Sequence, residues 1–327
     1  MWQADEVEIM VLVENQIDML LPDIDDGTHC VTRAGLVHHF DPKEMPVQAE
    51  NGICLLVTAR RGRHKMRVMF DVGMTGKVML HNLKALHEDL DSIDHMVISH
   101  GHPDHYGGIV PVLEEFPHAV PIATHPDAFL PRYAVMGDGR VASFYNQGFQ
   151  PDTLDVPAAR PVLTKDPLEL GSGILTTGEI PRLSDFEGPV ISDDTRKPGL
   201  YQVAAGGELR TDEVWDEMGL VIDLGVGGLV VLTGCAHAGV VNTIRRAQEL
   251  TGNQRVRAVM GGFHLGFPTT PKENVDKTVE ALRDLEVETI MPMHCSGLRA
   301  HTAFSTGLAE RYVQPAVGSV LAFTAGS

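Results

Sequence analysis

The 327-residue sequence is poor in three things: long apolar runs, positive charge and aromatic rings. No stretch of about 18 apolar residues occurs, so no membrane-spanning helix is expected. Lysine and arginine number 26 against 44 aspartate and glutamate, a formal net charge of −18. A chain so acidic lacks the basic face that nucleic acids and anionic membranes require. A small anionic substrate stays admissible, because a bound cation or a few arginines reverse the potential locally. Only 6% of residues are aromatic, and no aromatic-lined pocket can be read from them. The opening residues MWQADEVEIMVLVENQ lack the basic start and cleavage site of a signal peptide, so a cytoplasmic location is expected. The four cysteines, Cys30, Cys54, Cys235 and Cys295, are far apart and form no CxxC pair. In a cytoplasmic protein they read better as thiols or ligands than as bridges. Homo-oligomerisation is left open.

What is abundant is histidine, with 16 residues, several of them in glycine-rich surroundings. A content of 43% hydrophobic and 21% charged residues suits a globular chain with a large core. One domain over residues 1–327 is expected, with an irregular insertion or cap at about 125–216, where Pro, Gly and Asp are frequent. Apolar runs predict strands at 7–13, 53–59, 67–70, 96–98, 256–260 and 290–291. A hairpin is expected at 220–233 around Gly225-Val226-Gly227-Gly228. Met79, Leu83, Leu86 and Leu90 share one helical face, and 109–116 reads as a second helix closed by Pro117. A helix over 240–250 stops at Gly252. Thr270-Pro271-Lys272-Glu273 predicts a capping box that opens another helix. Buried strand, polar histidine loop and helix recur, which predicts a layered α/β fold with its loops converging on one edge.

The densest loop is Ser99-His100-Gly101-His102-Pro103-Asp104-His105. Histidines two apart on an extended backbone point the same way. After the turn, Asp104 and His105 begin a helix, where the chain changes direction. Such a loop can face two neighbouring ions, with His100 and His102 on one, Asp104 and His105 on the other. Imidazole and carboxylate suit zinc, and also iron or manganese. By chance the pattern would arise roughly 0.003 times in this length, so a surface turn is a poor explanation. Three further loops offer His237, His264 and His294, each after an expected strand. Cys235 reads equally as a thiolate ligand or a small packed thiol.

The HxHxDH loop with Phe70-Asp71-Val72-Gly73 upstream resembles the metallo-β-lactamase superfamily. Its dihydropteroate synthase-like branch is matched by several later segments. These are Thr233-Gly234-Cys235-Ala236-His237-Ala238-Gly239, Gly262-Phe263-His264-Leu265, His294-Cys295-Ser296-Gly297 and Thr177-Gly178-Glu179-Ile180-Pro181-Arg182. The resemblance implies a four-layer αββα sandwich with a one- or two-metal site on its edge. Many members place a bridging aspartate where this chain has Cys235. Their middle histidine has no plain counterpart: Glu179 lies in that region, and His237 is the alternative. Asn51 stands where the branch is expected to carry histidine.

Three functions follow from these residues. A hydrolase would hold one ion by His100, His102 and His237 and a second by Asp104, His105 and His294. His264 would be a ligand or the acid for the leaving group, and Asp71 would brace the loop. Glu179, Arg182 and Arg299 would contact substrate, the arginines clamping a phosphate, with a solvent-exposed structural role as the other reading of each arginine. A transferase would use the same ions to bind a diphosphate leaving group, joining a dihydropterin to a ribosyl-aminobenzene phosphate. A non-enzymatic sensor would have had little reason to keep the full HxHxDH set.

Overall fold

The computed structural model describes residues 3–34, 46–143, 149–189, 194–195, 197–203 and 206–326. Two sheets lie face to face. Nine strands form the first, in the order Ala159–Leu163, Val120–Thr124, His95–Val97, His64–Phe70, Cys54–Arg61, Glu6–Val13, Val320–Thr324, Cys30–Thr32 and Ile24–Asp25. Six form the second, in the order Glu169–Gly171, Ile174–Thr176, Leu220–Asp223, Leu229–Thr233, Val256–Gly262 and Thr289–Met293.

Period-two alternation in the strands builds the layers. Val7, Ile9, Val11, Leu55, Val57, Val68 and Phe70 face inward and meet Leu220, Ile222, Val230, Leu232, Ala258 and Met260 of the second sheet. Their neighbours Leu12, Leu56 and Met69 point the other way, onto Met79 and Leu83 of helix Lys77–Ala85 and Ile109 and Val112 of helix Ile109–Glu115. On the far side, Val221, Val231, Val259 and Ile290 pack against helices Val240–Thr251, Lys272–Asp284 and Gly297–Gly307. Helix, sheet, sheet and helix follow in order, the αββα sandwich that the family resemblance implies. Each large apolar side chain taken from water contributes about 1.5–3 kcal/mol, so both faces of each sheet stabilise the stack.

Strand direction decides where the loops emerge. His64–Phe70, His95–Val97 and Val120–Thr124 run parallel, and so do Leu229–Thr233, Val256–Gly262 and Thr289–Met293. The ends of both sets lead directly into Asp71, the Ser99–His105 loop, Cys235, His264 and His294.

Local differences from expectation have simple causes. Helix Lys77–Ala85 ends before Leu90, which stays buried in the same core from a following turn. Pro271 is extended at ψ 141° and caps helix Lys272–Asp284 without a side-chain bond, so Thr270 lies too early to close a box. The irregular stretch carries a separate four-stranded sheet, in the order Leu209–Thr211, Gly199–Val203, Arg132–Val135 and Val141–Ser143. Other strands from the same stretch join the main sheets, Ala159–Leu163 in the first and Glu169–Gly171 and Ile174–Thr176 in the second.

Candidate metal centre

Asp71 organises the first half of the centre. It is buried with a left-handed φ of 61° at the end of its strand. Its Oδ1 accepts the Ser99 backbone N–H at 2.7 Å, and its Oδ2 accepts the Ser99 hydroxyl at 2.8 Å. The same Oδ2 lies 2.7 Å from Nδ1 of His105, so that nitrogen donates and Nε2 is left for the interior. Ser99 Oγ, having donated to Asp71, accepts from Nδ1 of His100 at 2.9 Å. One carboxylate thus orients two imidazoles, the second through a hydroxyl. His102 caps the short helix Pro103–Tyr106 in extended conformation, and its Nε2 faces Asp212 Oδ2 at 3.4 Å.

The second half comes from the other sheet. Glu217 accepts the backbone N–H groups of His237 and Ala238 at 2.8 and 2.7 Å and holds their turn. His294, at φ 48°, gives its backbone N–H to Glu14 at 2.9 Å and places Nδ1 3.2 Å from Asn15 Oδ1. Its Nε2 reaches Asp104 Oδ2 at 3.1 Å. Cys235 Sγ lies 3.1 Å from His105 Nε2, between the two halves.

Donor atoms gather in three groups, each mutually within 4.8 Å: His100, Cys235 and His237; His105, Cys235 and His294; Cys235, His264 and Cys295. Cys235 belongs to all three. His102 borders the first group, its ring 4.5 Å from that of His100 and 4.7 Å from that of His237. Asp104 borders the second through His294 and through His105, whose Nε2 is 3.8 Å away.

Electrostatics favour a cation here. Burial, aided by neighbouring imidazoles, holds His100 and His237 well below the usual histidine range, so both are neutral with lone pairs to give. Nε2 of each is buried and, among the described residues, has no hydrogen-bond partner. Leaving such atoms unmatched costs about 1–3 kcal/mol each, a cost that an ion between them removes. Burial lowers His105, but the charges of Asp71 and Asp104 override it and raise the ring. Burial also opposes charge on His294, yet its contact with Asp104 lifts it to about 9. Burial pushes the Cys235 thiol up. The donor set fits a metal ion.

Not every expected residue joins the centre. Glu179, 39% exposed in its side chain, pairs with His125 at 3.1 Å and Lys165 at 3.2 Å, outside the donor groups, whereas His237 lies with His100 and Cys235. Arg182 bonds to the Glu213 carbonyl and stacks 4.1 Å over Trp215. Arg299 donates to the carbonyls of Leu265, Phe267 and Thr270 and ties down the loop after His264. Arg299 is held by three backbone carbonyls, whereas Nε of Arg182 is buried with no hydrogen-bond partner among the described residues.

Other residues at the centre were not visible in the sequence. Buried Arg132 bonds to Asp212 at 2.7 Å, to Asp216, and to the Gly101 carbonyl at 3.1 Å. Asp216 accepts the Gly101 N–H at 2.7 Å. Burial raises Asp212, but the Arg132 charge overrides it and holds the carboxylate down at about 2. The four-stranded sheet, which carries Arg132, is therefore bolted to the histidine loop by buried charge.

A sequence profile of the metallo-β-lactamase superfamily matches residues 54–249. The chain is 31% identical over 278 residues to the 7,8-dihydropterin-6-methyl-4-(beta-D-ribofuranosyl)-aminobenzene-5'-phosphate synthase of Methanocaldococcus jannaschii, spanning 85% of this chain and 92% of that protein. The solved structure of Tm1679, described as a metal-dependent hydrolase of the beta-lactamase superfamily, aligns with a TM-score of 0.68 at 25% identity, over 96% of this chain and 98% of that one. A diphosphatase from the PhnP family shares the fold at a TM-score of 0.50 and 13% identity, over 97% of both chains.

Proposed function

The chain belongs to the metallo-β-lactamase superfamily and is an enzyme, and on that premise we propose a metal-dependent hydrolase that cleaves an ester or phosphoester of a small anionic substrate. One observation carries the reading: neutral, unmatched imidazole nitrogens of His100 and His237 converge with Cys235 in a buried cluster beside a second cluster of His105, His294 and Asp104.

His100, His102 and His237 are assigned to one ion and Asp104, His105 and His294 to the other, with Cys235 between them. Zinc suits these donors, with iron or manganese as alternatives. Metal ions held there supply Lewis-acid charge stabilisation and acidify water. The chain's own contribution is positional. Asp71 fixes the tautomers of His105 and, through Ser99, of His100, which keeps both Nε2 atoms available. Asp104, pulled below its usual range by His105 and His294 despite its burial, stays ionised. A negatively charged substrate in so acidic a protein then depends on cations at the centre, since Arg182 and Arg299 are engaged elsewhere.

Transfer is the second reading, and the 31% identity to a synthase favours it. On that reading the same residues bind a diphosphate leaving group while an aromatic partner attacks the pterin methylene carbon.

Purified protein of known metal content should be offered a phosphomonoester, a phosphodiester, a lactone, and the dihydropterin diphosphate with and without its ribosyl-aminobenzene partner. Ester cleavage that needs no partner supports hydrolysis; product formed only with the partner establishes transfer. His102→Ala is expected to lose bound metal and activity together, and full retention of both would remove the site assignment.

A further inference from the structure

Cys295 has no part in either histidine group, yet it lies against the thiol they share. Its Sγ is 3.3 Å from Cys235 Sγ, and both sulfurs fall within 4.8 Å of a ring nitrogen of His264. Cys295 and His264 are partly exposed and Cys235 is buried, so the group opens outward from the histidine clusters. Nδ1 of His264 is buried with no hydrogen-bond partner among the described residues. The backbone is shaped for this approach. A Cβ at Gly262 would meet the Gly234 carbonyl oxygen at 2.4 Å, Cys295 Sγ at 2.7 Å and Cys235 Cα at 3.1 Å, so a larger residue would have to displace Cys295 from its place beside Cys235.

We propose that Cys235, Cys295 and His264 form a third metal position, a sulfur-rich one that takes a thiophilic divalent ion such as zinc. Tetrahedral zinc with bonds of about 2.3 Å to sulfur sets its two sulfurs about 3.8 Å apart, so these thiols need open by only about 0.5 Å. Two thiolates and one imidazole leave a fourth place on the exposed side, the arrangement of an ion that can meet a ligand from solvent. Two sulfur donors set this position apart from each histidine group, which has only the shared Cys235 thiol, and favour a softer ion. On binding, each thiol releases its proton to solvent and the ion takes both thiolates, with no oxidation. His264 is then a ligand here and not the acid for a leaving group.

The test is independent of the reaction catalysed. The protein is stripped and titrated with cobalt(II), following thiolate-to-cobalt charge-transfer absorption, and alkylation of each cysteine is mapped by mass spectrometry with and without saturating zinc. The expected results are that zinc slows alkylation of Cys295 by at least about tenfold, that Cys295→Ser loses about half of the charge-transfer band, and that His102→Ala keeps the zinc protection of Cys295. Alkylation of Cys295 at an unchanged rate under saturating zinc overturns the proposal, and so does a full band in Cys295→Ser. A mass lower by two hydrogens in the isolated protein, restored by reductant, also overturns it and makes the pair a disulfide. The alkylation arm uses the unmodified chain, so a misfolded variant does not blunt the test. Loss of metal in His102→Ala bears on the histidine groups alone, which keeps the two readings separable.

Discussion

Asp71 Oδ2 and His105 Nδ1 lie 2.7 Å apart with both side chains fully shielded from solvent. A carboxylate so placed decides which imidazole nitrogen carries the proton. Asp71→Asn keeps an acceptor oxygen but removes the charge, and its amide nitrogen cannot accept from Ser99 or His105. Metal affinity is expected to fall about 10–100-fold with the fold retained, as read by metal-competition titration beside circular dichroism. Unaltered affinity would show that His105 needs no such orienting partner.

Asp212 makes a parallel prediction for His102. It faces Nε2 at 3.4 Å and is held as an anion by Arg132. Asp212→Asn should weaken metal binding about 10–100-fold. Since the mutation also leaves the buried Arg132 charge with one carboxylate fewer, thermal unfolding must be measured alongside. A stability loss with unchanged metal affinity would make the contact purely structural.

How much of this was legible beforehand depended on sequence distance. His100, His102, Asp104 and His105 stand within six positions, so their convergence needs only local geometry. His237, His264 and His294 are legible because each follows a strand, and period-two patterning marks strands well. Arg132, Asp212, Asp216, Glu217 and Glu14 carry no such mark in the sequence. Acidic residues number 44, and nothing local separates these few from those in solvent. Their roles arise only when the four-stranded sheet and the first strand dock against the loops. The misplaced capping box at Thr270 has a related cause, since the backbone angle of Pro271 and not the motif set the helix start.

Gly101 sits where no side chain fits. A Cβ there would lie 2.0 Å from the Ala128 carbonyl oxygen and 2.2 Å from the Arg132 guanidinium. Both are fixed in the buried charge network, so Gly101→Ala must displace the loop. A loss of about 1–3 kcal/mol is expected, seen as a lower denaturation midpoint in urea. A variant as stable as the parent would mean the loop yields more readily than its packing indicates.

Glu187 supplies a pH dependence away from the centre. Its carboxylate accepts the backbone N–H groups of Val241 and Asn242 at 2.8 and 2.9 Å, in the first turn of helix Val240–Thr251. Burial outweighs those bonds and raises the carboxyl from 4.5 to about 7. The folded chain therefore holds this proton more tightly than the unfolded chain. Its contribution is complete below about pH 4.5 and is lost as pH rises through 7. The displacement is worth at most about 3 kcal/mol. Glu187→Gln should flatten the stability profile between pH 5 and 8, as measured by urea denaturation at several pH values. A profile as steep as the parent's would assign the dependence to other groups.

The grip of Glu14 and Asn15 on His294 has a consequence for how the molecule assembles. These partners lie about 280 positions apart along the chain. Closing so long a loop costs entropy that local contacts do not return until late, so the centre is among the last features to mature during folding. The emerging chain has its first histidine loop long before it has a partner for it. An ion captured there early would meet a half-built cage, complete only once the strand Thr289–Met293 has carried His294 to Glu14 and Asn15.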